Sequence, residues 1–95
     1  MANNDMEKIL VSITVERALI DVGGADLHQS VQKWLYSEYR YHFSDCLEHP
    51  ESLLSILQKK CGDQCGDIVY KIHGLLGDVS EREPFQGFVK KIGKT

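Results

Sequence analysis

Residues 36–49, YSEYRYHFSDCLEH, hold the densest group of side chains that could do chemistry. On one continuous helix, Glu38, His42, Asp45 and His49 recur at spacings of four, three and four, so they share a face. Cys46 borders that face. Imidazole, thiolate and carboxylate are the ligand types that zinc or iron accepts, so the stripe is a candidate metal site. Cys61 and Cys65 extend it. Together with Cys46 and His49 they have the Cys3His composition of many structural zinc sites. The spacing argues less strongly than the composition. Three residues separate Cys61 from Cys65, where redox and zinc-knuckle motifs have two, and no His-Glu-x-x-His is present. The simpler expectation places all three cysteines at apolar positions of helical stripes, as small buried hydrophobes. Cys65 would also stand near a helix N-terminus, where a thiolate is stabilised, so a thiol-redox protein is part of the metal alternative.

The same stretch carries a second possibility. Tyr36, Tyr39, Arg40, Tyr41 and Phe43 cannot all turn toward one core from one helix, and exposed Tyr and Arg dominate binding hot spots. Tyr36, Tyr39, Arg40 and Tyr41 are therefore the candidate partner-binding residues. A third grouping is the turn at 62–66 between two helical patterns, which has the outline of a helix-turn-helix. Its second helix begins CGDIVYKI, with a single base and an acid where base-reading Arg, Lys, Asn or Gln would be needed. No nucleophile elbow, dinucleotide fingerprint or phosphate loop occurs, so no catalytic residue is nominated.

These groups must be positioned by helices, and Gly and Pro punctuate the chain where helices start and stop. A first helix is expected from about Asn4, capped with Glu7, to Val22, ended by Gly23-Gly24, with Val11, Val15, Ala18 and Val22 as its stripe. The alternation of Ile9, Val11, Ile13 and Val15 leaves a strand over 9–15 as the competing assignment, but no second strand offers itself for pairing. Asp26 opens a second helix with Leu27, Val31, Trp34 and Leu35 inward, running to about His49 unless it breaks near Ser44-Asp45. Pro50 starts a third helix, with Leu53, Leu54, Leu57 and Cys61 inward, and Gly62 stops it. A fourth, near 64–76, presents Cys65, Ile68, Val69, Ile72, Leu75 and Leu76. A fifth opens at Ser80 with Glu83, or at Pro84, and buries Phe85, Phe88, Val89 and Ile92.

The chain has 95 residues, which fits one domain and excludes two, so residues 1–95 are read as a single helical domain. The fold class is all-α, a compact bundle of four to five short helices. A net charge of −3 argues against nucleic acid as a partner. No apolar run is long enough to span a membrane, and the N-terminus is polar and acidic, without the pattern of a signal peptide. Three cysteines, an odd count, point to free thiols in a reducing, cytoplasmic setting. The functional expectation is a non-enzymatic interaction or regulatory module without cofactor. It would bind a protein partner or itself, as a homodimer, through the Tyr36–Phe43 surface. A zinc, iron or redox protein using His42, Cys46, His49, Cys61 and Cys65 is the alternative, and a DNA binder the third reading.

Overall fold

The computed structural model describes residues 5–82 and 85–92, and every regular element among them is helical. The β-branched run that left a strand open at 9–15 lies inside helix α1, Asp5–Tyr39. Burial decides the matter. As a helix the segment sends Val11, Val15, Ala18 and Leu19 into the core with no exposed surface. A lone strand would leave its backbone donors and acceptors unpaired. Two contacts at helical spacing support the limb: Ser12 Oγ donates to Glu16 Oε2 at 3.1 Å, and Arg17 pairs with Asp21 at 3.4 Å.

α1 is kinked rather than straight. Gly24 sits at φ 78°, ψ −173°, a conformation essentially reserved for glycine, and it divides the helix into limbs 5–23 and 25–39. The stop expected at Gly23-Gly24 is therefore a bend, after which helix resumes at once. The second limb buries Val31 and Leu35 completely, with Leu27 and Trp34 partly buried against the core, as the spacing requires. His28 bridges the limbs, its Nε2 lying 3.7 Å from Glu16 and its ring 5.4 Å from Phe43.

The second limb does not reach His49. It ends at Tyr39, and Arg40 turns into left-handed geometry at φ 64° while its N–H still donates to Tyr36 O at 2.8 Å. The physical reason is which face of 40–49 is apolar. A straight continuation would aim His42 and His49 along the buried side of Val31 and Leu35. Breaking at Arg40 instead buries Phe43, Cys46 and Leu47 from a 3-10 turn, Phe43–Leu47, and leaves His42 exposed. The break expected near Ser44-Asp45 falls several residues earlier.

Pro50 begins α2, Pro50–Ile56, at the position where a missing N–H costs nothing. The helix widens into a π turn over Leu57–Cys61 and stops at Gly62, φ 39°. Helix α3, Cys65–Leu76, buries Cys65, Ile68, Val69, Ile72 and Leu76 and ends at Gly77, φ 54°. Leu75, expected inward, is exposed instead. A 3-10 turn over Gly77–Glu81 leads to helix α4, Phe85–Ile92, whose Phe85, Phe88 and Ile92 are buried and whose Val89 packs beside them. The capping expected at Ser80 with Glu83, or at Pro84, falls outside the described residues.

α1 packs along α3 and along the 43–47 turn, while α2 packs against α4. Of the four to five separate helices expected, four are present among the described residues. The first two are one kinked helix, which leaves three helices of eight residues or more, with the seven-residue α2 between them.

Candidate interaction surface

Ending the helix at Tyr39 scatters the proposed metal stripe. Glu38 pairs with Lys59 Nζ at 3.2 Å. The His42 ring leans on Tyr36 at 5.5 Å, and Asp45 Oδ2 accepts from the His42 backbone N–H at 2.9 Å. His49 stacks on Tyr41 at 4.5 Å, with Glu51 4.0 Å from its Nδ1. Among the described residues, no three His, Cys, Asp or Glu come together closely enough to hold a metal ion. Cys46 Sγ still reaches His42 O at 4.0 Å, and Cys61 feels the charge of Cys65, but His42, Cys46, His49, Cys61 and Cys65 do not gather at one point.

The three thiols are free and buried. Burial, with Asp45 beside it, pushes the Cys46 thiol up to about 12. Burial also raises Cys61, with Cys65 adding to the effect, and burial alone raises Cys65. Burial thus moves the Cys65 thiol in the direction opposite to the stabilised thiolate expected at the start of α3. Each thiol is held protonated, the opposite of what a nucleophile needs.

The tyrosine-rich corner divides. Tyr39 and Tyr41 stack on each other at 5.9 Å and pack against the core, so the Arg40 turn uses them as a wedge. Tyr36 is exposed, with the Arg40 guanidinium 5.4 Å from its ring centre. Also on the second limb, the Trp34 ring has Lys60 Nζ 5.5 Å from its centre. The outline of a helix-turn-helix at 62–66 presents Asp63, Gln64, Asp67 and Tyr70 outward. Lys71, the single base of that region, is committed to Asp21 at 3.7 Å.

Among the described residues, most of the exposed large apolar side chains lie elsewhere. Met6, Ile9, Leu10, Ile13 and Ile20 stand out from the first limb of α1, and Leu75 of α3 lies beside them. At 3.6 residues per turn, the α1 members occupy the side of the helix opposite Val11, Val15, Ala18 and Val22. These six residues expose between 38 and 80% of their surfaces. At roughly 180 Å² for a whole aliphatic side chain, near the low end of the range for the larger aromatic ones, that is about 600 Å². A patch of this size reaches the upper limit for an ordinary monomer, and such patches mark interaction sites.

Two shallow grooves flank the Leu10–Ile13 ridge. One, of about 400 Å³, lies toward Arg82 and Phe85, and the other, of about 530 Å³, lies toward Ile20 and Leu75. The rim is charged in a divided way. Glu7 and Arg82 stand at one end, and Arg17 with Asp21 at the other. One Glu7 carboxylate oxygen is occluded from solvent and has no hydrogen-bond donor among the described residues.

This face was legible in part. The segment 9–15 is apolar on both sides at once, which made it resemble a strand. Read as a helix with one side committed to the core, it leaves a second apolar side without a partner. No protein-family model, curated relative or solved structure matches the chain.

Proposed function

We propose that the chain is a non-enzymatic helical interaction module that holds a protein partner on the outer face of α1. The observation that carries this reading is the apolar strip of Met6, Ile9, Leu10 and Ile13, widened by Leu75 and resumed at Ile20 beyond the Glu16–Arg17 turn. Exposing such a strip to water has a continuing cost, at about 25 cal/mol for each Å² that a partner would cover. The corner built from Tyr36 and Arg40 is a smaller second contact, because most of its aromatic area is already spent on Tyr39 and Tyr41. The cytoplasm is the compartment we assign, on the three unpaired cysteines. No described helix is long and apolar enough to cross a membrane.

The test is site-specific photo-cross-linking in the native host. A photoreactive residue at position 13 should give a protein adduct that is absent when the residue is placed at 78, and weaker when it is placed at 36. No adduct from position 13 under conditions where the chain is expressed and folded would overturn the reading.

A further inference from the structure

The α1 face is self-complementary, and we infer that its partner is a second copy of the same chain, packed antiparallel about a two-fold axis at Ile13. This rests on the interaction-module reading above and names the occupant. Met6, Ile13 and Ile20 repeat every seven residues, with Ile9 and Leu10 between the first two, which is the spacing of a helix–helix seam. From Met6 to Ile20 the seam runs about 21 Å. An axis at Ile13 places residues whose numbers sum to 26 opposite each other. Met6 then meets Ile20 of the other copy, Ile13 meets itself, and the Ile9–Leu10 step meets the Arg17 turn.

Area and charge both favour this occupant. Two patches of about 600 Å² bury about 1,200 Å², the low edge of a specific protein interface. The Leu10–Ile13 ridge lies between two grooves, so an identical ridge has a place to seat on either side. The antiparallel sense brings the Glu7 and Arg82 end of one copy against the Arg17 and Asp21 end of the other. In that register Glu7 lies within one turn of Arg17 of the other copy, which would exchange its bond to Asp21 for one to the under-satisfied Glu7. A parallel pair would set Glu7 against Glu7 and Arg17 against Arg17. A lipid surface is the poorer occupant. An interfacial helix carries Lys and Arg along its polar rim, whereas this rim holds Glu7 and Asp21 as well as Arg17 and Arg82.

Sedimentation equilibrium of the full chain over a concentration series provides the test, with thermal melting to confirm that each variant folds. The wild type should move toward twice its 10.8 kDa mass with micromolar affinity. Ile13→Glu sets two carboxylates together on the axis and should weaken association at least tenfold while keeping the helical content and a cooperative melt, since Ile13 is exposed. Ile13→Ala is the milder companion should the charged variant fold poorly. Glu7→Arg and Arg17→Glu should each weaken the dimer, and the double exchange should restore it.

A monomer at every concentration overturns the second copy, and so does a dimer indifferent to both Ile13 variants. Failure of the double exchange overturns the antiparallel register. Co-sedimentation with anionic vesicles, lost in Ile13→Glu, assigns the face to lipid and overturns the proposal too. A monomer that still gives a heavier hetero-adduct from position 13 sinks this inference alone, whereas a monomer without any adduct sinks the interaction reading with it.

Discussion

Gly24→Ala isolates the device that shapes α1, and its effect follows from geometry. At φ 78°, ψ −173° the backbone is in a region that costs a residue with a Cβ about 1–3 kcal/mol. A methyl group built there meets nothing within 4 Å, so the whole penalty is local to the backbone. Alanine also stiffens the unfolded chain, which offsets about 0.4–1 kcal/mol. The net loss is therefore about 1–2 kcal/mol. For a domain of this size that lowers the melting temperature by about 5–15 °C. Escape by straightening is closed, because a helical residue 24 would swing the second limb and pull Val31 and Leu35 out of the core. Gly74→Ala is the matched control. It lies within α3, also with nothing inside 4 Å, and should gain about 0.5–1 kcal/mol from helix propensity. Urea unfolding followed by circular dichroism measures both. A Gly24→Ala midpoint equal to or above wild type, with Gly74→Ala behaving as described, would refute the claim that the bend needs glycine.

Other expectations follow from single contacts. Gly23→Ala should also destabilise, because its Cβ would stand 2.7 Å from Leu27 Cβ, an atom that cannot rotate away; a wild-type urea midpoint would contradict this. Phe88→Ala, at a site with 1% exposure, should cost about 3–5 kcal/mol and remove a large part of the total stability in the same assay. The raised thiol of Cys46 favours the protonated folded state, so its contribution is complete below pH 9 and is lost as pH climbs toward about 12. Stability of the wild type should consequently fall more steeply above pH 9 than that of Cys46→Ala, by at most about 1.4 kcal/mol per pH unit, and parallel profiles would contradict it. Since no three metal-ligating side chains converge among the described residues, a chelator should leave the melting temperature unchanged, and a drop of several degrees would reopen the zinc reading.

How far the sequence could be read differs from element to element. Gly62 and Gly77 mark real helix ends, and both take positive φ. The stripe of Cys65, Ile68, Val69 and Ile72 was visible from spacing alone, because one side of a short helix must face the only core available. Residues 40–49 resisted because two registers compete there. One continues a strong helix and turns His42 and His49 inward; the other breaks it and buries Phe43, Cys46 and Leu47. Local pattern favours the first, and the free energy of burial selects the second. The same choice separates the candidate zinc ligands and commits Tyr39 and Tyr41 to packing, so both site hypotheses depended on a break that propensity did not mark.

The residues by themselves determined the class of element, the glycine positions where the chain turns and most of the apolar faces, since these depend on periodicity and on backbone freedom within a few neighbours. Only the tertiary structure decided that Gly24 bends a helix rather than ending it. It also decided that Arg40 adopts a left-handed turn without glycine, and that the second apolar side of α1 stays open to water. The physical reason is common to all three. Each outcome depends on which surfaces a distant element covers, and α3 with the 43–47 turn packs on one side of the first helix while, among the described residues, Met6, Ile9, Ile13 and Ile20 on the other stay exposed.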